Sequence, residues 1–440
     1  MRSDHAGSDD RFFAGSDRRA SESVNGRGGR RVVISGIGLV GPTGVGLETF
    51  WDALLAGRSG IGRITRFDPS SYACQIGGEV RDTTYEALLE PRKLRNTALM
   101  TRFALAAGEL ALRDARVELS TLASEEIGVS LGTAVGGWCE AEQQSALLRE
   151  RGARRANPFA INGTPNHAAG VELAAAVGAQ GTQVTFSIGC PASLQAIGHG
   201  ASLVANGDLE VCLAGGTEAP LTPLTFAALG RTMELSNMND APERACRPFD
   251  RDHCGMVLSE GSCVLVIETA ERAAQRGVAP YAEVLGFASS CDGQGLFDLD
   301  ETAEVAARTV FRVLRRAGVV QTEIDYVCSH ANSSRAFDRK ETLVLKKAFG
   351  EWAPRLAISS IKGVLGHPFG ASGAFQVAAS GLAIRHGLIP PTHNLETPAP
   401  ECDLDYVAGK ARAAIVRNAL VTSYGYGGVN AYLVLAAPPG

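Results

Sequence analysis

Residues 183–207, QVTFSIGCPASLQAIGHGASLVANG, place a cysteine between a predicted strand and a predicted helix. Apolar and β-branched residues dominate QVTFSIG (183–189), which predicts a buried strand. Pro191 then begins a run of small and apolar residues that stops at Gly207, and these are the usual start and end signals of a helix. Cys190 is therefore predicted at the N-terminus of a helix.

This position favours a reactive thiol at Cys190. The free N–H groups at a helix N-terminus favour negative charge, which lowers the pKa of a thiol and yields the nucleophilic thiolate. We therefore predict that Cys190 takes up an acyl group. The other nine of the ten cysteines are interpreted as small buried hydrophobic residues.

Strands and helices alternate outward from this segment. Strands are predicted at 31–37, 127–133, 209–216, 281–291, 324–330 and 355–361, and helices at 47–57, 98–115, 302–318 and 370–386. Such alternation is typical of an α/β fold with largely buried sheets. The two halves of the chain show the same order of elements, which predicts an internal duplication.

Three segments are predicted along the chain. Residues 1–30 are rich in Arg, Ser, Gly and Asp without periodicity, which indicates a disordered N-terminal tail. The first α/β half is predicted at 31–280 and contains the cysteine. The second half, 281–440, contains the histidines, the lysine and the glycine-rich turn described below.

The composition argues against several functional classes. Lys and Arg total 42 against 47 Asp and Glu, so the net charge of −5 gives no general reason to expect nucleic-acid binding. No apolar run is long enough to span a membrane, and no signal peptide is predicted. The cysteines are scattered without a C-x-x-C pair, so we expect a cytoplasmic protein without disulfides or a metal site.

A G-x-G-x-x-G pattern at 36–41 follows the first predicted strand. Alone, it would indicate a dinucleotide-binding fold. Pro42 delays any helix, however, and the segment 54–66 lacks the acidic residue that such a fold requires. We interpret the pattern as a glycine-rich turn.

Two histidines lie near the ends of predicted strands in the second half. His330 ends the strand at 324–330, and His367 follows the strand at 355–361, five residues after Lys362. A Cys–His–His group suits thioester chemistry, because imidazoles can donate hydrogen bonds to an enolate or oxyanion. The segment YGYGGVN (424–430) could supply backbone N–H donors, although alone it would be interpreted as a hairpin turn.

Together these segments resemble the β-ketoacyl synthases of the thiolase superfamily over nearly all of 31–440. The Gly189-Cys190 pair and AGGTEAPLTP (214–223) are closer to the ketosynthase subunit of type II polyketide synthases. Besides the cysteine segment, the resemblance rests on five ordered motifs: VVISGIGLVGPTG (32–44), RPFDRDHCGMVLSEGSCVLVIE (247–268), SHANSSRAFDRKET (329–342), SSIKGVLGHPFGASGA (359–374) and YGYGGVN (424–430).

The resemblance implies a thiolase-like duplicated αβαβα layered fold and a decarboxylative Claisen condensation of acyl and malonyl thioesters. Cys190 would carry the acyl group, while His330 and His367 promote decarboxylation and stabilise the enolate. Lys362 is similar to the motif lysine of the family, which orders the site together with the acidic residue matched by Glu341.

Further residues are implied in supporting positions. Asp338 matches the same motif block as the acidic residue. The backbone N–H groups of Cys190 and Tyr426 would form the oxyanion hole. Val135, Tyr424 and Tyr426 match positions that gate the acyl pocket.

The chain departs from the family at the first histidine. The usual H-G-T-G-T is replaced by residues 330–334, HANSS, in which Asn332 and Ser334 stand where threonines contact the pantetheine arm or the malonyl unit. Loss of both glycines removes easy access to positive φ, so we expect a different loop backbone.

The family also implies partners and substrates. No cofactor or metal would be bound, and the substrates would be carried on the phosphopantetheine of an acyl carrier protein. The chain would form a homodimer, or a heterodimer with a chain-length-factor-like subunit, without nucleic acid or membrane. Two alternatives remain: a non-elongating acyltransferase or cyclase that uses the same cysteine, and a non-catalytic partner subunit.

Overall fold

The computed structural model describes residues 29–232, 235–296 and 298–438. The tail predicted for residues 1–30 therefore lies outside the described residues, apart from Gly29 and Arg30. The strands are β1 (Val32–Gly41), β2 (Gly44–Val45), β3 (Gly62–Arg63), β4 (Ile76–Gly77), β5 (Ile127–Thr133), β6 (Gln183–Ser187), β7 (Val211–Glu218), β8 (Gly261–Thr269), β9 (Ala282–Cys291), β10 (Tyr326–Cys328), β11 (Ala357–Ser359), β12 (Leu388–Ile389), β13 (Arg412–Ala413), β14 (Asn418–Gly425) and β15 (Val429–Ala436).

Helices connect most of these strands. They are α1 (Leu47–Ala56), α2 (Pro91–Asn96), α3 (Leu99–Ala115), α4 (Trp138–Arg151), α5 (Ala168–Val177), α6 (Ala192–Asn206), α7 (Pro223–Thr232), α8 (Ala270–Gln275), α9 (Glu304–Ala317), α10 (Arg335–Phe349), α11 (Lys362–Leu365) and α12 (Ser372–His386). Most predicted elements are present, with ends that move by a few residues.

The sheet shows the duplication directly. Its strands follow the order β11-β10-β14-β15-β9-β1-β8-β7-β5-β6, with β2 added to β1. In the first half, β5 is parallel to β6 and β7, whereas β7 with β8 and β8 with β1 are antiparallel. In the second half, β10 is parallel to β11 and β14, whereas β14 with β15 and β15 with β9 are antiparallel. The second half therefore repeats the strand order and the strand directions of the first. The division at residue 280 stays a prediction.

Helices cover both halves of the sheet. Apolar residues of α6 and α12 pack in one cluster with strands of both halves, so these two helices form the middle of the molecule. Helices α3 and α5 pack on the first half, and α9 and α10 on the second. The α/β prediction and the thiolase-like layered fold are thereby confirmed.

The G-x-G-x-x-G pattern at 36–41 is not a turn, which corrects the interpretation made from sequence. It lies inside β1, and two of its three glycines, Gly36 and Gly38, allow α3 to pack closely on the strand. A Cβ atom at Gly38 would lie 2.0 Å from the carbonyl oxygen of Ala107, and one at Gly36 would lie 2.4 Å from that of Ala111. The glycines therefore serve helix–strand packing, and no nucleotide loop exists here.

Strand β6 is also different from its prediction. It is the last strand of the sheet, and its residues are partly exposed instead of buried. The apolar run at 183–189 does not distinguish a central strand from an edge strand, because both bury at least one face.

Equivalent connections of the two halves meet in the middle layer. Cys190 lies between β6 and α6, and His367 lies between β11 and α12. Helix α12 approaches α6 closely at Gly373, where a Cβ atom would lie 2.9 Å from that of Leu194. The duplication therefore brings the two N-terminal helix ends, and with them the two side chains, to one place.

Candidate active site

Cys190 lies in a tight turn and is almost fully buried, with 5% of its surface exposed. Gly189 adopts φ +75°, a conformation that glycine tolerates, and so the chain passes directly from β6 towards α6. Ala192 is the first helical residue and Pro191 is the N-cap, so the helix begins one residue later than predicted. Cys190 still lies at the helix N-terminus.

The three predicted reactive side chains converge. The Sγ atom of Cys190 lies 3.1 Å from Nε2 of His367. The rings of His367 and His330 are perpendicular, with centroids 5.2 Å apart. Among the described residues, neither ring nitrogen of His330 has a hydrogen-bond partner, and Nδ1 of His367 has none either. A reacting carbonyl can therefore receive hydrogen bonds from this group.

The protonation states of the site differ from the prediction. Burial raises the pKa of the Cys190 thiol to about 12, and the nearby Lys362 lowers it only in part. The lowered thiol pKa predicted from the helix N-terminus is therefore wrong for the closed site, because desolvation of the thiolate is the larger effect. Burial also holds the pKa of His330 and of His367 well below the usual value, so both rings are neutral at pH 7.

Alkylation of Cys190 should follow from this raised pKa. The thiolate is the species that reacts with iodoacetamide, so the alkylation rate should keep rising with pH beyond pH 9. Peptide mass spectrometry of the Cys190 peptide after short incubations between pH 6 and pH 10 measures this rate. A rate that levels off below pH 7 would show instead a thiol with a lowered pKa.

Lys362 and Glu341 act on the same residue from two sides. The buried Lys362 ammonium donates to the carbonyl oxygen of His330, and the Glu341 carboxylate accepts the N–H of His330 at 2.8 Å. In the described ranges the two side chains form no ion pair with each other within 4.0 Å. Burial lowers the pKa of Lys362 to about 8 and raises that of Glu341 to about 7. Both side chains therefore position His330.

Asp338 orders the loop after His330. One carboxylate oxygen accepts the N–H groups of Asn332 and Ser333 at 2.9 and 3.2 Å. The other accepts the N–H of Phe249 at 2.8 Å and lies 3.0 Å from Nδ1 of the buried His253. Asp338 thus ties this loop to a second loop, a role that the sequence motif alone did not reveal.

The tyrosines at the glycine-rich turn contact different parts of the site. The ring of Tyr424 is buried against His330, and its hydroxyl donates to Glu341 at 3.3 Å. Tyr426 and Val135 pack in one apolar cluster with Cys190 and with Phe369, which the sequence analysis had not selected. The gating roles of Val135, Tyr424 and Tyr426 stay predictions.

The glycine-rich turn lies directly against Cys190. It connects β14 and β15 as a hairpin, so the interpretation of YGYGGVN as a hairpin turn is also correct. A Cβ atom at Gly425 would lie 3.4 Å from the backbone nitrogen of Cys190. The backbone of Tyr426 is therefore close to that of Cys190, as an oxyanion hole requires.

Comparison with known proteins identifies this arrangement. The family model "Beta-ketoacyl synthase, N-terminal domain" matches residues 29–273, and "Beta-ketoacyl synthase, C-terminal domain" matches residues 281–396. The chain belongs to the β-ketoacyl synthase family. It is thereby an acyltransferase, as the sequence resemblance implied.

Relatives of this β-ketoacyl synthase fall in two groups. The 3-oxoacyl-[acyl-carrier-protein] synthase 2 of Synechocystis is 39% identical over 92% of this chain and 97% of its own. A structure of a type II polyketide synthase acyl-carrier protein in complex with its ketosynthase, bound to the hexaketide, gives a TM-score of 0.85 at 30% identity, covering 93% of this chain and 100% of the other. The ishigamide ketosynthase/chain length factor gives 0.88 at 30% identity with the same coverage.

The unusual loop of this β-ketoacyl synthase keeps a backbone that glycine would normally provide. Ser333, which replaces a glycine of the family pattern, has φ +75°. Ser333 therefore adopts the positive φ that the loss of glycine was expected to remove. Hydrogen bonds maintain the conformation: the Ser333 hydroxyl accepts the N–H of Arg247 at 3.1 Å, and its carbonyl oxygen accepts that of Gly255 at 3.0 Å.

Substitution of Ser333 should measure the strain in this loop. Ser333→Gly and Ser333→Ala both lose the bond to Arg247, but only glycine adopts φ +75° without strain. The Gly variant should therefore be more stable than the Ala variant by about 1 kcal/mol or more. Urea unfolding of both variants measures the difference, and equal stabilities would contradict a strained Ser333.

Asn332 and Ser334 lie in the same buried loop. The side-chain oxygen of Asn332 accepts the N–H of Ser334 at 3.1 Å. The Asn332 amide nitrogen is buried and has no hydrogen-bond partner in the part of the chain that the structure describes. A buried donor without a partner is costly, so it marks a position where a ligand acceptor can bind.

Two further observations concern the whole described chain. Within 29–232, 235–296 and 298–438, no group of three or more His, Cys, Asp or Glu side chains could hold a metal ion. Among the same residues, no helix combines the length and the apolar character that a membrane span requires.

Proposed function

We propose that this β-ketoacyl synthase condenses an acyl group on Cys190 with a malonyl thioester, with the loss of carbon dioxide. The observation that carries the proposal is the closed group of Cys190, His367 and His330, in which neutral imidazoles face a buried thiol. Neutral imidazoles donate hydrogen bonds without becoming charged, which suits stabilisation of an enolate in a dry pocket.

The first step transfers the acyl group to Cys190. The sulfur attacks the thioester carbonyl, and the N–H groups of Cys190 and Tyr426 receive the oxyanion. The carrier thiol leaves and takes up the proton that Cys190 gives up. Because burial opposes a free thiolate, we expect the proton to leave during the attack and not before it.

The second step forms the new carbon–carbon bond. The malonyl carboxylate leaves as carbon dioxide, and its electron pair forms an enolate whose oxygen accepts hydrogen bonds from His330 and His367. The enolate carbon then attacks the acyl carbonyl on Cys190. The thiolate leaves and takes a proton from solvent, so that the thiol is restored and the β-ketoacyl chain remains on the carrier.

Asn332 and Ser334 are proposed to contact the extender unit. Both are buried beside His330. The amide nitrogen of Asn332 has no hydrogen-bond partner among the described residues, so it can donate to a ligand. An amide replaces the hydroxyl of the family pattern here, so the contact would persist with a different donor. Lys362, Glu341 and Asp338 would position His330 and this loop.

Acyl carrier protein is the proposed source of both substrates, carried on phosphopantetheine. The structural relative was solved with such a carrier protein, which supports this partner. The partly exposed edge strand β6 supports the formation of a dimer, because an unpaired strand edge favours pairing with another chain. The second chain is proposed to be another copy or a chain-length-factor-like subunit, since the second structural relative contains a chain length factor. A cytoplasmic location remains a prediction.

Reconstitution tests the proposal. Purified protein is incubated with an acyl carrier protein bearing an acyl chain, then with malonyl carrier protein, alone and with candidate partner subunits. Intact mass spectrometry should show acyl-Cys190 first and a β-ketoacyl carrier afterwards. Acylation of Cys190 without any extended product would support the acyltransferase or cyclase alternative and contradict condensation.

A further inference from the structure

Glu218 is a buried carboxylate close to the site that neither the motifs nor the reaction steps assign. It is the last residue of β7 and is fully buried. No cation pairs with it among the described residues; instead it accepts four hydrogen bonds. A charge buried without a counter-ion is costly, so its hydrogen-bond donors decide whether it is tolerated.

The four donors come from two loops. Three of them come from the end of β5 and the loop after it: the hydroxyl of Thr133 at 2.9 Å, the N–H of Ala134 at 2.6 Å and the N–H of Val135 at 3.2 Å. The fourth is the N–H of Gly370 at 3.0 Å, three residues after His367. One carboxylate therefore connects the loop with the predicted gate residue to the loop with the reactive histidine.

The two loops touch where Glu218 joins them. A Cβ atom at Gly370 would lie 2.4 Å from the backbone nitrogen of Ala134. Phe369, next to Gly370, packs in the cluster that contains Cys190 and Val135. A small shift of either loop therefore changes the walls around the thiol.

We propose that Glu218 is a positioning residue that holds the 133–135 loop against the 367–370 loop and thereby fixes the shape of the pocket that receives the acyl chain. The inference rests on the proposed acyl transfer for its biological meaning. Its test uses alkylation of Cys190, which does not depend on that transfer.

The charge of Glu218 gives an independent readout. Burial raises the pKa of Glu218 to about 7, and the hydrogen bonds from Ala134, Thr133, Gly370 and Val135 lower it, so the charged form depends on the closed loops. That charge raises the pKa of the Cys190 thiol. Removing the charge should therefore lower the thiol pKa. Because loss of burial would lower it as well, Glu218→Asp, which keeps the charge, is needed to separate the two effects.

Two substitutions separate the effect of the Glu218 charge from the effect of its side-chain length. Glu218→Gln keeps the size but offers only one accepting oxygen, so two of the four donors lose their acceptor. Glu218→Asp keeps the charge but is shorter by one methylene and cannot hold both loops equally. Glu268→Gln is the control, because Glu268 is equally buried but lies far from the thiol, in β8 opposite Val211 at the other end of β7, where Arg276 and Arg272 pair with it.

The measurement is the alkylation rate of Cys190 by iodoacetamide and by N-octyl iodoacetamide, between pH 6 and pH 10, on the folded full-length chain. In both Glu218 variants the ratio of the two rates should change by roughly tenfold, because the pocket wall moves. In Glu218→Gln alone, alkylation above pH 7 should be faster than in the wild type, because the charge that raises the thiol pKa is absent. The difference should shrink below pH 7, where Glu218 of the wild type is itself protonated. Glu268→Gln should match the wild type in both readouts.

Two results would overturn the inference: rate ratios unchanged in both Glu218 variants, or an equal change in Glu268→Gln. If Glu218→Gln does not fold, Thr133→Val takes its place, because it removes only one of the four donors to Glu218. It should also change the ratio of the two alkylation rates, by a smaller factor. Failure of condensation in the reconstituted system, with these alkylation results intact, would contradict the proposed function and not the role of Glu218.

Discussion

Cys190→Ala should abolish turnover, with a loss of roughly 10³-fold or more. The alanine cannot form the acyl thioester, and the imidazoles beside it have no acyl group on which to act. Acyl transfer from the carrier, measured by intact mass, should disappear together with product. The variant should remain folded, because the side chain lost is small.

Cys212→Ala is the control for this substitution. Cys212 is also fully buried, in β7, but lies in the core and not at a helix N-terminus beside a histidine. Its variant should keep both the acyl adduct and the product. If Cys190→Ala left the amount of β-ketoacyl product unchanged while the variant protein was present, the protein would act as a non-catalytic partner subunit instead.

His330→Ala should separate the two steps of the reaction. Its ring nitrogens have no partner among the described residues, so they are available to the enolate, while the contact with Cys190 belongs to His367. We expect condensation to fall by about 10²- to 10³-fold, the usual effect of removing one donor to an oxyanion. Acylation of Cys190 should remain within about tenfold of the wild type.

The measurement follows both steps in one sample. Acyl-Cys190 is quantified by intact mass before malonyl carrier protein is added, and the β-ketoacyl carrier is quantified afterwards. His386→Ala, at the end of α12 and beside Trp51, serves as the control histidine. Equal losses of acylation and condensation in His330→Ala would contradict a role for this ring in the second step.

The conformation of the 330–334 loop bears on the two alternative functions. Positive φ at Ser333 shows that the backbone of the HANSS segment is compatible with a glycine at that position, although the glycine is absent. A loop that can accommodate glycine at position 333 gives no reason to prefer a non-elongating acyltransferase or cyclase. The close contact of Cys190 with His367 likewise does not favour a non-catalytic subunit.

Much of the fold could be predicted from the sequence, because the apolar periodicity is strong. Segments 127–133 and 98–115 agree with β5 and α3 within one residue. The pattern could not show that β6 is an edge strand, since its neighbours depend on topology. It also could not show that the glycines of β1 face α3, because a close helix approach and a turn both require glycine.

The site was predicted through Cys190, His330, His367 and Lys362, whose positions follow strand ends. The raised pKa of the Cys190 thiol was not predicted, because it depends on burial, and burial depends on all the residues that cover the site. Glu218, Phe369 and His253 were missed for a related reason. Each acts through residues that are distant in sequence, and no local pattern marks such contacts.

One measurement tests the central claim most directly: a single turnover with Cys190 preloaded by an acyl group and malonyl carrier protein labelled with ¹³C at its free carboxylate. Decarboxylative condensation predicts one equivalent of ¹³CO₂ and one of β-ketoacyl carrier for each acyl-Cys190 consumed, and neither in Cys190→Ala. Disappearance of acyl-Cys190 without labelled carbon dioxide, with the acyl group found on water, an amine or an alcohol, would contradict it.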